Sequence, residues 1–190
     1  MLETKLAARR AALSDQAALS GQAIAVHPLK PHARFSLRVP EGAAAEIGTV
    51  AGFRLDQPIT RSASAGDRVS ARLGPNEWLL IGPEAEAEAI GAEIETALSG
   101  RFHSLVDIGH RNVGIEVSGH HAAAVLNAGC PIDLGDDAFP VGAATRTILG
   151  KAEIVLIRSD ASRYRVECWR SFALYVHGFL REAARDFEHL

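Results

Sequence analysis

The sequence predicts an α+β protein made of two similar halves, each an antiparallel sheet carrying helices. Three observations lead there. Stretches that alternate apolar and polar residues, the period of a half-buried strand, recur along the chain. Between them lie stretches of helical period. The order strand, Ala-rich helix, loop, hairpin and long helix occurs in residues 34–98 and again in 111–187, a pattern of internal duplication. Ala51-Gly52-Phe53 answers Ala128-Gly129-Cys130, and Leu55-Asp56 answers Ile132-Asp133. Helices laid on antiparallel sheets give the α+β class. The expected division is an N-terminal arm (1–20), a first half (21–103) and a second half (104–190), joined as one compact unit.

Each element has its own signal. Residues 1–20 place Leu2, Leu6 and Leu13 among Ala, Lys and Arg, as a weak amphipathic helix or an arm that docks on a partner. In 34–39, Phe35, Leu37 and Val39 alternate with Arg34, Ser36 and Arg38. Pro40 opens a short helix over 41–50. Residues 56–67 read as a loop by composition. In 68–73, Val69, Ala71 and Leu73 alternate with Arg68, Ser70 and Arg72, and Gly74-Pro75-Asn76 turns the chain into a return strand at 77–81. Pro83 opens a helix over 84–98, whose early Glu84, Glu86 and Glu88 suit the positive end of its dipole.

The second half centres on 104–133. A strand over 111–117 places Val113, Ile115 and Val117 on one face. Ser118 is the expected cap of a helix whose apolar side is Ala122, Val125, Leu126 and Ala128. Gly129 is the expected left-handed terminator, followed by Pro131. Strands follow at 142–150, 153–158 and 163–169. Ser171 is expected to cap a last amphipathic helix to about Phe187, with Leu174, Tyr175, Phe179, Leu180 and Ala183 inward. The register of the duplication has two solutions. Leu73-Gly74-x-x-Glu77-x-x-Leu80-Ile81 matches Leu149-Gly150-x-x-Glu153-x-x-Leu156-Ile157 without a gap. Topology instead sets 77–81 against 163–169, since each precedes a long helix, and is preferred.

Composition narrows the function. The 190 residues can bury a substantial core. A net charge of −3 argues against a general nucleic-acid binder. No apolar run reaches the length of a bilayer span, so a membrane location is not expected. The cysteines Cys130 and Cys168 give neither a disulfide framework nor zinc spacing, and a reducing cytoplasm fits.

Chemistry candidates are sparse. His120 and His121 are adjacent on a helix, pointing about 100° apart, and fit an exposed first turn better than a metal. Cys130 at a helix C-terminus is placed against thiolate formation, and both cysteines read as buried structural groups. His110 and Arg111 lie at a strand junction that would edge a pocket, and a plain turn explains them equally. Arg34, Arg38, Arg68 and Arg72 oppose their strands' apolar faces. On one sheet they would make a basic patch for a carboxylate-rich partner or anionic ligand, or pair with the Glu84–Glu95 helix, or be merely solvated. No hydrolase, nucleotide or dinucleotide motif is present.

Several stretches resemble the gamma subunit of heterotetrameric sarcosine oxidase: LGPNEWLLIGP (73–83), LVDIGHRNVGIEVSG (105–119), LNAGCPIDL (126–134), FPVGAATRTILGKAEIVL (139–156) and WRSFALYVHGFL (169–180). The chain is similar, more distantly, to the folate-binding region of the glycine cleavage T-protein. The resemblance implies an α+β fold with ferredoxin-like halves, and a non-catalytic subunit with no cofactor of its own. FAD, FMN, NAD, tetrahydrofolate and zinc would belong to alpha, beta and delta partners. The implied reaction of the complex turns sarcosine and oxygen into glycine, hydrogen peroxide and a one-carbon unit captured by tetrahydrofolate. A gamma-type subunit of a related complex, such as N-methylglutamate dehydrogenase, is an alternative. So is a stand-alone folate-binding protein with His110, Arg111 and Glu153 at its pocket. The T-protein pattern places paired acids where Glu153-Ile154 stands here, and the second acid is replaced by an apolar residue.

Overall fold

The computed structural model describes residues 11–187. The first sheet is formed by β2 (His32–Arg38), β5 (Arg61–Ala65), β6 (Arg68–Gly74), β7 (Glu77–Pro83) and β8 (Ser104–Asp107), and the second by β1 (Ala25–Pro28), β9 (Asn112–Ser118), β10 (Ala144–Leu149), β11 (Ala152–Asp160) and β12 (Arg163–Trp169). Their spatial orders are β5-β6-β7-β2-β8 and β10-β11-β12-β9-β1, with neighbouring strands antiparallel throughout. β3 (Thr49–Val50) and β4 (Phe53–Arg54) form a small separate hairpin. The helices are α1 (Glu41–Ile47), α2 (Ala87–Ala97), α3 (Ala122–Asn127) and α4 (Ala173–Ala184).

Three apolar clusters define four layers. One holds Phe35, Leu37, Trp78 and Leu80 of the first sheet against Ile90 and Ile94 of α2. Another holds Ile115, Val117, Leu156 and Val166 of the second sheet against Val125 and Leu126 of α3 and Val176 and Leu180 of α4. The third joins Ala71, Leu79 and Ile81 to Ala144, Val155 and Ile157, so the two sheets face each other between outer layers of helix.

The two sheets have matching topology, and the sheet order settles the register of the duplication. β7 and β12 are each the central strand of their sheet, next to β2 or β9, and both lead into a 3-10 turn and a long helix. The gapless motif match, which would set β7 against β11, is a chance likeness between strands. The edge strands are exchanged. β1 precedes the first sheet in the chain but pairs with β9, whereas β8 follows α2 and pairs with β2. A cut between residues 103 and 104 therefore separates β8 from the sheet it belongs to.

Register also pairs two buried arginines. Aligning the starts of β7 and β12 sets Trp78 on Tyr164, and their cross-strand partners Arg72 on Arg158. Each guanidinium lies over its aromatic ring, 5.0 Å from Trp78 and 5.4 Å from Tyr164. Arg72 donates to Gln57 O, Gly74 O, Pro75 O and Glu41; Arg158 donates to Phe139 O, Asp160 O, Ala161 O and Asp136. Each thus pins its hairpin turn and a preceding loop in the same way.

Several local expectations are corrected. Ser118 ends β9, and α3 starts after His121 without a side-chain cap; Ser171 lies within a 3-10 turn and does not cap α4. Gly129 has no positive φ. Its small size matters instead, since a Cβ there would sit 2.5 Å from the Phe179 ring and 3.0 Å from Gly150 N. Ala128 is exposed, as are Leu174 and Tyr175, because α4 turns Ala173, Val176, His177, Leu180 and Ala184 inward. Residues 56–67 include β5, whose polar sequence SASA hides an edge strand. Leu2 and Leu6 lie outside the described residues. Leu13 packs into the second sheet's helix-side cluster and Leu19 bridges Val26, so this part of the arm docks on its own chain. Among the described residues no helix is long and apolar enough to cross a membrane.

Packing yields three expected outcomes, all measurable by urea denaturation. Leu126→Ala, deleting a wholly buried side chain, costs about 2–5 kcal/mol. Gly129→Ala destabilises by about 1–3 kcal/mol through overpacking. Gly178→Ala on α4, where nothing lies within 4 Å of the new carbon, stabilises by about 0.5–1 kcal/mol.

Candidate functional site

The four arginines read as a basic patch do not share a face. Register places Arg34 beside Ile81 and Val69, on the side turned to the second sheet, and Arg72 beside Trp78 and Leu37, on the helix side. Both faces of this sheet are covered, so neither set of alternate residues is a solvent face. Arg34 and Arg72 are buried. Arg68 reaches Glu86 at 2.5 Å and lies 5.9 Å over Phe53, and Arg38 reaches Glu77 at 3.3 Å. Each guanidinium thus has a carboxylate of this chain.

Arg34 belongs to an ionic cluster between the sheets. Its Nε and Nη2 donate to Glu167 Oε2 and Oε1 at 2.6 and 3.1 Å, and its Nη1 to His32 O at 3.1 Å. Arg165 Nε donates to Glu167 Oε1 at 2.7 Å. Burial pushes the Glu167 carboxyl up, but the Arg165 and Arg34 guanidinia and the hydrogen bonds they donate outweigh it and hold the group below the usual carboxylate range. Gly114 leaves the room: a Cβ there would stand 2.7 Å from Glu167 Oε1 and 3.1 Å from Arg34 Nη2. A second contact across the sheets runs from Arg146 of β10 to Glu77 of β7 at 2.7 Å. The Arg146 hydrogen bond is the main cause that lowers the Glu77 carboxyl.

The pocket candidates separate. His110 and Arg111 are exposed in the turn between β8 and β9, with the Arg111 guanidinium 5.4 Å from the Trp169 ring. Arg111 and Glu153 do line one crevice between the sheets, but its volume is about 60 Å³, which suits a few waters. A larger cavity of about 350 Å³ is walled by Leu13, Leu29, Val113 and Gly114, with Lys30 and His110 at its edge. Arg111 and Glu153 do not reach it.

The remaining candidates have structural settings. His120 is exposed, and His121 stacks on Phe187 with ring centroids 4.5 Å apart. Cys130 and Cys168 are buried and free. Burial, followed by the Glu167 charge, pushes the Cys168 thiol up to about 12, which keeps it protonated at neutral pH. Sequence reasoning did not single out Glu167, Arg165, Arg146 or Arg158. The duplication held the missing signal for Arg158, which aligns with Arg72.

The family model described as "Sarcosine oxidase, gamma subunit family" matches residues 39–186. The chain is 30% identical over 147 residues to the sarcosine oxidase subunit gamma of Corynebacterium sp. (strain P-1), covering 77% of this chain and 71% of that one. Its fold is similar to a chain of the heterotetrameric sarcosine oxidase from Corynebacterium sp. U-96 in complex with pyrrole 2-carboxylate, with a TM-score of 0.82 and 23% identity over 95% of this chain and 96% of that one. It is also similar in fold to the glycine cleavage system aminomethyltransferase T from Bartonella henselae, with a TM-score of 0.65 and 14% identity over 86% of this chain and 46% of that one.

Glu167→Gln leaves Arg34 buried without its countercharge and is expected to cost about 3–5 kcal/mol at neutral pH. The paired replacement Arg34→Met with Glu167→Leu recovers most of that loss. Because the folded carboxyl lies below its unfolded value, its contribution is complete above about pH 4.3, the ordinary glutamate value. It is lost as the pH falls through the lower folded value. Acid denaturation of Glu167→Gln is therefore less steep than that of the parent chain.

Proposed function

Because the chain belongs to the sarcosine oxidase gamma subunit family, we propose that it acts as a non-catalytic subunit that helps to assemble a sarcosine oxidase complex in the cytoplasm. The complex performs the oxidative demethylation of sarcosine to glycine. Its partners are alpha, beta and delta subunits, and these hold the FAD, FMN, NAD, tetrahydrofolate and zinc. The supporting observation is the surface at the start of α4. Trp169, Phe172, Leu174 and Tyr175 are all exposed, Leu174 by 61%. When β7 and β12 are aligned, Phe172 and Leu174 fall on Glu86 and Glu88, which are exposed on the first helix. The duplicated element accepts carboxylates at these places, so large apolar groups there answer to something outside the fold.

A second reading, a stand-alone folate-binding protein, has the 350 Å³ cavity in its favour. Calorimetry of the purified chain with tetrahydrofolate separates the two, and no heat at high micromolar ligand is the expected result.

Replacing Phe172 and Leu174 together by Glu gives the second helix the surface of the first. The free chain is expected to keep its stability to within about 0.5 kcal/mol. Co-purification with the partner subunits is expected to be lost. Retained assembly would remove the support that this surface lends to the subunit reading.

A further inference from the structure

Among the described residues, three of the four edge strands meet another stretch of the chain's own backbone, and the fourth, β8, meets none. β5 and β10 meet at their first residues: Ser62 donates its N–H to Gly142 O at 2.7 Å, and Ala144 to Thr60 O at 2.9 Å. β1 is closed by Leu19, which exchanges two backbone hydrogen bonds with Val26 at 3.0 and 2.9 Å. β8 is the counterpart of β1 in the first sheet, and it pairs with β2 alone. Ile108 donates its N–H to Arg34 O at 2.8 Å, which sets the alternation of the ladder. Ser104 and Val106 then bond to β2, while Leu105 and Asp107 turn their N–H and C=O groups outward.

The side chains beside this edge are also uncovered. Phe102 is 88% exposed and Val106 50%. Val106 lies opposite Ser36, on the face turned toward the second sheet, whereas Leu105 packs on the helix side. Open edges are ordinarily guarded by charge, proline or a bulge. Here apolar groups flank the free backbone.

We propose that β8 is the docking edge for an extended segment of a partner subunit, which adds a strand to the first sheet. The chemistry of that segment follows from the edge. Apolar side chains cover Val106 and Phe102, and a basic residue faces Asp107, as opposite charges directly across a ladder are favourable. Main-chain hydrogen bonds supply affinity and the side chains supply register. The chain itself shows the arrangement at the counterpart edge, where an apolar residue in an irregular segment, Leu19, closes β1. This inference rests on the reading of the chain as a subunit of a complex.

Hydrogen exchange on the full chain, free and in the purified complex, tests it. The Leu105 and Asp107 amides are expected to exchange freely in the isolated chain and about 100-fold more slowly in the complex. Equal exchange in both overturns the proposal and leaves membership of the complex intact. A chain that enters no complex overturns the subunit reading and this inference with it. A free chain that sediments as a dimer with these amides protected assigns the edge to a second copy and overturns the proposal. The double variant F102D/V106K, which adds guard charges at two exposed positions, should fold as the parent does and capture the partner subunits about tenfold more weakly. Unchanged capture also overturns the proposal.

Discussion

Two cations share one carboxylate at the seam where the sheets meet, and the relative placement of the sheets depends on it. Apolar contacts there are non-directional: Ala71, Leu79 and Ile81 would pack against Ala144, Val155 and Ile157 in more than one offset. Arg34 and Glu167 sit on β2 and β12, inner strands of opposite sheets, and their two-pronged contact admits one offset. Removing water from such ions is costly, so the seam tolerates little displacement. Gly114 is part of the same constraint, because any side chain there would enter the space the carboxylate occupies.

Much of this architecture was legible in the sequence, and the rest was hidden for identifiable reasons. Strands such as 163–169 and 68–73 announced themselves by alternation, and the order of elements disclosed the duplication. Alternation has a blind spot when both faces of a sheet are covered. Arg34, Arg72, Arg165 and Glu167 then look like solvent residues although they lie in the interior. Local signals at helix ends were also misleading. Ser118 and Ser171 have the right chemistry to cap, yet the strand before α3 and the 3-10 turn before α4 occupy those positions.

The candidate site shows the same division. His110, Arg111 and Glu153 were chosen for residue type and position near strand ends, and among the described residues no one cavity holds all three. Type alone does not report which wall of a sandwich a side chain lines. The apolar residues Leu174 and Tyr175 failed in the opposite direction. Hydrophobicity suggested burial, but the helix needs only a narrow stripe, which Ala173, Val176, Leu180 and Ala184 already fill. Apolar residues beyond that stripe carry information about partners, and the duplicated first helix serves as the reference that makes them visible.

The exchange of β1 and β8 between sheets governs how the chain reaches its native state. Ala25 must find Ser118 before the second sheet has its edge, so that sheet is completed only by a contact between distant parts of the chain. Closing such a long loop is entropically slow, which places this molecule among the slower-folding topologies for its size. The same exchange joins the two halves into a single cooperative unit, since neither can melt without taking a strand from the other. The two similar halves are in this way indivisible, one rigid body rather than a hinged pair.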